Sequence, residues 1–491
     1  MPSYRPSTRH ADLGPAFYDV VEPADFPQTV LRYRNQFWAE RIGLGNLGET
    51  QWLDHFGRFS PLPGSFPKPL ALRYHGHQFR SYNADLGDGR GFLYAQLFDL
   101  ADGRLLDLGT KGSGVTPWSR GGDGRLTLKG GVREVLATSM LEALGVYTSK
   151  SLSLVETGEE LYRGDEPSPT RSAVLVRLSH SHIRIGTFER LAFLRDTESL
   201  EKLVDHCLAT YLPHIRRADE RRMNSVQFLE AVAANVARLG AQWIAAGFVH
   251  GVINSDNVNI TGESFDYGPW RFLPAYDPNF TAAYFDETGL YSFGRQPDAL
   301  AWNLTRLAEC LVPLADIPAL EAALNTFWPR FRAELASALL RRLGLASAGD
   351  EADGALVAAI IAFLAESHAP YEQFFFDWRG GALSAERAAR SPSAELYASE
   401  GFRPLADLIE GSAASASVNL KHPYFAREKP RTMLIEEMEA LWAPIAESDD
   451  WSAFTEALTE IEDMQLAYAG DVAESTVAGS SMPSSARNPG S

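Results

Sequence analysis

The chain has 491 residues and carries 45 Lys and Arg against 63 Asp and Glu, a formal charge of −18. Hydrophobic residues make up 45% and charged residues 22%, the composition of a folded globular protein. The acidic balance excludes a bulk surface that grips nucleic acid or anionic lipid, but leaves room for a local basic pocket.

The first ten residues, MPSYRPSTRH, are basic but are not followed by the apolar run of a secretory signal. With two cysteines in all, a reducing, cytoplasmic setting is expected. Residues from about 14 to 56 read as helical and apolar-periodic (VLRYRNQFWAERIGL), which predicts an N-terminal helical extension over 1–65 that ends in the Pro-rich connector Pro61–Pro69. From 66 to 192 the text changes to short β-type runs punctuated by Gly and Asp. FLYAQLF and RLLDLGT predict a hairpin, one helix is expected from Val132 to Leu144, and SLSLVE and SAVLVRL read as further strands.

From 193 to 468 helices dominate. The clearest runs through Val226, Leu229, Ala233, Val236, Gly240 and Trp243, and an irregular polar stretch interrupts the pattern between 248 and 300. Cys207 and Cys310 lie in apolar helical text and read as buried small hydrophobes, which excludes a disulfide scaffold or a CxxC metal knuckle. The longest apolar run, Ala355–Ala365, is half of what a bilayer needs and reads as a core helix, so no membrane is expected as a partner. Residues 469–491 are small and polar and read as a disordered tail. The fold class expected is α+β: a protein-kinase-like plan of a β-rich N-lobe and a helical C-lobe, with helical extensions at both ends.

Four constellations carry chemistry. Gly87, Gly89 and Arg90 stand in LGDGRG ahead of a strand, where missing Cβ atoms let backbone N–H groups approach phosphate. The tetrapeptide Gly-Asp-Gly-Arg recurs at 122–125, with Asp123 and Gly124. A plain turn also uses Asp-Gly. Next, Lys111 ends a strand and Glu134 follows 23 residues later on the predicted helix, the ion-pair arrangement that kinases use to hold a phosphate-binding Lys. Third, Arg177 and Arg184 in VLVRLSHSHIRIG suggest an anionic ligand. The interleaved His180 and His182, on one face if the segment is a strand, lack partners for a zinc set.

The fourth is the most informative. His250-Gly-Val-Ile-Asn-Ser-Asp256-Asn257 keeps the His-to-Asn spacing of the kinase motif H-R-D-x-x-x-x-N, and Asp266-Tyr-Gly stands where kinases have D-F-G. Asn257 and Asp266 then supply hard oxygens of the kind Mg²⁺ prefers. The kinase base position, however, holds Val252, which cannot accept a proton; the nearest carboxylate is Asp256.

The segments YHGHQF, LGDGRG, KGSGVTPWSRGGDGR, REVL, RLSHSHIRIGTFE, HGVINSDNVNI, FDYGPW and YDPNF, in this order, resemble the selenoprotein O family, closely over about 14–310 and loosely beyond. The resemblance implies a pseudokinase fold that binds ATP in a flipped orientation, with Mg²⁺ (or Mn²⁺), and transfers AMP to Ser, Thr or Tyr hydroxyls of proteins. It also implies roles: Gly87, Gly89, Arg90, Lys111, Asp123, Gly124, Arg177, Arg184 and Asp266 in nucleotide binding, Glu134 as the partner of Lys111, Asp256 as proton acceptor, and Asn257 and Asp266 as metal ligands. The Cys that many bacterial members carry after DPNF is absent; Phe280 is followed by Thr281, Ala282 and Ala283. Two other readings stand beside this one: a true kinase with Asp256 as a displaced base, and a nucleotide-binding scaffold without catalysis.

Overall fold

The computed structural model describes residues 4–164, 166–215 and 221–477. Its strands are β1 (Pro6–Ser7), β2 (Tyr18–Val20), β3 (Val30–Arg34), β4 (Leu70–Leu72), β5 (Gly76–Gln78), β6 (Ser81–Asn83), β7 (Leu93–Phe98), β8 (Leu105–Lys111), β9 (Leu126–Thr127), β10 (Lys150–Leu161), β11 (Thr170–Ser179), β12 (Phe248–His250) and β13 (Trp270–Phe272). Nine of them form one antiparallel sheet in the order β2-β4-β7-β8-β11-β10-β3, with β1 added against β7 and β9 against β11. The helices begin with α1 (Gln36–Arg41), α2 (Glu49–Phe56), α3 (Leu128–Ala143), α4 (Ile185–Phe193), α5 (Thr197–Thr210), α6 (Arg221–Ala245) and α7 (Gln296–Leu311), and further helices follow to Val477.

The central strands read as continuous apolar runs because both faces of the sheet are covered. On β11, Val174 and Val176 join the core built on Trp38, Trp52 and Phe56 of α1 and α2. Their neighbours Ala173 and Leu175 point the other way, into the larger core with α3 and α6. The predicted hairpin is the β7–β8 pair. The helix expected from Val132 starts earlier, at Leu128, because Thr127 caps it by accepting the Gly130 amide at 3.1 Å.

The expectation of a helical N-terminal extension is corrected. Among the described residues there, α1, α2 and a short 3-10 turn at Ala11–Leu13 are helical; β1, β2 and β3 join the main sheet through β7, β4 and β10. The residues of VLRYR are β-branched, aromatic or long, and Asn35 then stops the strand by capping α1 through the Trp38 amide.

Ala355–Ala365 falls in the helix Asp350–Ser367, which buries Leu356, Ile360, Phe363 and Leu364 along one side. No helix among the described residues is long and apolar enough to cross a membrane. The C-terminal helices fold back onto the sheet: Ile435–Ser448 and Ser452–Val477 both pack on α3. Lys129 pairs with Glu439 at 2.7 Å, and Asp449 bridges Arg171 at 2.7 Å and Arg32 at 3.1 Å. The tail expected to be disordered from 469 is helical as far as Val477; the rest of it lies outside the described residues.

Candidate active site

The ends of β8 and β11, the turns 86–91 and 118–125, and the segment 252–268 enclose a cavity of about 700 Å³. Gly87, Gly89, Arg90, Lys111, Asp123, Gly124, Arg177, Arg184, Asp256, Asn257 and Asp266 all line it. In this acidic chain seven Arg and Lys side chains face the cavity against four Asp, which makes it a basic pocket suited to a polyanion. Glu134 stands behind the wall and is reached through Lys111.

Lys111 is the last residue of β8 and Glu134 lies two turns into α3. Lys111 Nζ donates to Glu134 Oε2 at 2.7 Å and to Asp266 Oδ1 at 3.0 Å. Arg177, on the neighbouring strand β11, brings Nη1 to 3.3 Å from the same Asp266 oxygen and 3.5 Å from Glu134 Oε1. Two cations and two carboxylates thus form one closed network. Burial alone would raise the pKa of Asp266, but Lys111, Arg177, Arg184 and Arg90 together outweigh it and hold this carboxyl well below its ordinary range, ionised. Asp266 keeps 28% of its side chain open to the cavity and sits at φ +62°, a left-handed conformation that aims it there.

Arg184 precedes α4 and is fully buried. Its guanidinium lies 4.1 Å from the Tyr74 ring centroid and 5.3 Å from that of Phe265, while Nη1 bonds Asp88 at 3.1 Å. The Nε atoms of Arg177 and Arg184 are buried without a hydrogen-bond partner among the described residues. Such donors in a basic cavity fit an anionic group.

His250 is a structural residue. Its Nε2 donates to the Phe265 carbonyl at 3.1 Å, its Nδ1 accepts the Val252 amide at 3.3 Å, and its ring lies 5.2 Å from Trp243. Val252 faces the cavity where a kinase would place its base. Asp256 is buried, and burial pushes its carboxyl up to about 7 against the pull of Arg184. Its Oδ1 has no hydrogen-bond partner among the described residues. Asn257 donates through Nδ2 to the Val252 carbonyl at 3.1 Å, leaving its oxygen for another partner. No group of three His, Cys, Asp or Glu among the described residues forms a protein-only metal cage. The oxygens of Asn257 and Asp266 instead suit a hard cation that fills its shell with phosphate and water, as Mg²⁺ does.

The two Gly-Asp-Gly-Arg turns meet at this rim. A Cβ on Gly87 would stand 2.3 Å from Trp118 Cγ, and Gly124 has φ +68° with the Gly114 carbonyl 2.2 Å from its missing Cβ. Asp123 is held by both terminal nitrogens of Arg163 at 2.8 and 3.1 Å. Sequence reasoning missed Trp118, Arg163, Tyr74 and Asp88 as cavity residues. Asp88 could have been found, since it lies inside the first turn; Arg163 carries no local signal. His180 and His182 lie just past β11 rather than on a strand face: His180 Nδ1 pairs with the Tyr147 hydroxyl at 2.6 Å, and His182 packs on Asp107. Cys207 and Cys310 are buried and unpaired.

A family model described as "Protein adenylyltransferase SelO" matches residues 3–462, well past the region where motifs alone are legible. Among curated proteins, the "Protein nucleotidyltransferase YdiU" of Gloeobacter violaceus is 46% identical over 460 residues, covering 90% of this chain and 92% of the relative. That of a Synechocystis strain is 43% identical over 479 residues (94% and 98%), and that of Vibrio cholerae 38% over 368 (75% and 73%). With the kinase-like motifs gathered around one basic cavity and the match running nearly end to end, the chain belongs to the SelO family of protein adenylyltransferases.

Proposed function

We propose that this nucleotidyltransferase transfers AMP from ATP to a Ser, Thr or Tyr hydroxyl of a protein and releases pyrophosphate. The observation that carries the reading is Val252 at the position of the kinase base in the motif, lining one cavity together with Lys111, Arg177, Arg184, Asn257 and Asp266, whose charge and oxygens suit phosphates and a metal. In this reading the sheet-bearing half, 66–192, and the helical half, 193–468, are the two lobes of a kinase-like fold, with the nucleotide between them. The buried, unpaired cysteines suit a reducing cytoplasm as the place of action.

The β- and γ-phosphates would lie deep, against Lys111, Arg177 and Arg184, with the Gly87–Arg90 and Asp123–Gly124 turns around the rest of the nucleotide. Glu134 keeps Lys111 extended toward them. Asn257 and Asp266 would hold Mg²⁺, or Mn²⁺ in its place, which supplies charge neutralisation for the phosphates when bound. The acceptor oxygen bonds to the α-phosphorus as the bond to the β-phosphate bridging oxygen breaks. Its proton passes to Asp256, and the electron pair leaves with pyrophosphate among the cationic side chains.

The test is incubation of the protein, alone and with a cell lysate, with ATP labelled at either the α or the γ position. Protein label from the α position only, with pyrophosphate released, is expected. Label from the γ position would mean a kinase, and no label from either a scaffold.

A further inference from the structure

Beyond Tyr74, the YHGHQF segment has no part in the mechanism above, yet its Gly76–Gln78 strand forms the β5–β6 hairpin that docks on the turn carrying Asp256. The contacts form a closed ring. The His77 amide donates to Ser255 Oγ at 2.7 Å, Ser255 Oγ donates to Glu189 Oε2, and the His77 ring donates through Nδ1 to Glu189 Oε1. Ser255 and Glu189 are buried, so the Ser255–Glu189 side of this ring is shielded from water.

A second clasp sits one residue earlier: Asn254 Oδ1 accepts the Phe79 amide at 3.1 Å and the Tyr291 hydroxyl at 2.8 Å. Between the clasps the backbone closes on Asp256. A Cβ on Gly76 would stand 3.1 Å from both Cβ and Oδ1 of Asp256, and one on Gly186 would stand 3.5 Å from its Cα. Asp256 itself has no side-chain partner that fixes its rotamer on the Oδ1 side. Its position is therefore set by what holds its neighbours.

We propose that Glu189, acting through Ser255 and His77, is a positioning residue for Asp256. Glu189 lies on α4, directly after the buried Arg184, so one short helix sets both an anion-binding guanidinium and the turn of the carboxylate. Neither Glu189 nor Ser255 lines the cavity. Their loss should move Asp256 without removing a nucleotide ligand. A displacement near an ångström at a reacting group costs about 10²-fold in rate.

This inference rests on the AMP-transfer reading, and the experiment separates the two. The full chain and its Glu189→Ala, Glu189→Gln and Ser255→Ala variants are assayed for transfer of α-labelled AMP, with ATP affinity measured by calorimetry in Mg²⁺. The expected result is a fall in kcat of about 10²-fold for Glu189→Ala and Ser255→Ala, a smaller fall for Glu189→Gln, which still accepts from Ser255, and ATP affinity and KM for ATP within about threefold of the parent. If the parent transfers no AMP, the functional reading fails. If the parent transfers AMP and the variants match its kcat, the positioning role is overturned. It is equally overturned if the alanine variants lose ATP binding together with transfer, because the ring then holds the fold and not the carboxylate. Should Glu189→Ala not fold, Ser255→Ala, which removes only one oxygen, decides the matter.

Discussion

Trp118 lies across Gly87 so closely that a single added carbon would come within 2.3 Å of the indole Cγ and 2.5 Å of Cδ2. The indole is fixed from its other end, donating through Nε1 to Asp19 at 2.9 Å. Gly87→Ala should therefore push Trp118 out of the rim, at a cost of about 1–3 kcal/mol. The measurable outcome is roughly tenfold weaker ATP binding together with a change in tryptophan fluorescence. Unchanged affinity would mean that the turn tolerates the displacement.

Lys111→Met leaves Glu134 facing Asp266 and Arg177 without its nearest cation. Both members of the pair are buried, so removing one partner should cost about 3–5 kcal/mol in denaturant unfolding. AMP transfer should fall at least 10²-fold, since the charge that develops on the leaving pyrophosphate loses one of the cationic donors around it. Full activity with parental ATP affinity would show that the lysine has been misassigned.

Asp266→Ala removes one of the two proposed metal ligands and one of the two carboxylates that neutralise Lys111 and Arg177. Calorimetry with and without Mg²⁺ should show that metal strengthens ATP binding to the parent but not to the variant. Metal-free binding should hold or improve in the variant, because two cations have been released. A parent whose ATP affinity ignores Mg²⁺ would count against the metal assignment.

Burial pushes His10 and His206 down to about 4 and His180 to about 3 from an ordinary 6.5. These rings are neutral in the folded chain and take up protons on unfolding below 6.5. Stability they contribute is complete above pH 6.5 and is lost as pH falls through about 4. The melting temperature should decline across that window. His10→Phe should flatten the decline, because both ring nitrogens of His10 are buried without partners among the described residues. An identical slope in the variant would remove His10 from the account.

The Lys111–Glu134 pair was legible because a strand-ending Lys and the one helix predicted near it leave few alternatives, and the Asp256–Asn257 and Asp266 spacing was legible because it is local. What was not legible depends on distant chain segments. Arg184 meets Asp88 across 96 positions, and the His77 amide meets Ser255 across 178. Neither separation leaves a periodic trace. The strand Val30–Arg34 was misread because VLRYRNQFW satisfies helical and extended spacing alike, and the sheet partner that decides between them, β10, lies more than a hundred residues away.

The back of α3, whose inner face carries Glu134, is closed by the helices that end the described chain. Lys129 on α3 finds its partner Glu439 only 310 positions later. During synthesis the strand bearing Lys111 and the helix bearing Glu134 therefore leave the ribosome long before the surface that covers them. A nascent chain stopped short of the helix Ser452–Val477 would hold the partner of Lys111 on a half-covered, oily helix, with little capacity to consume ATP before the polypeptide is nearly complete.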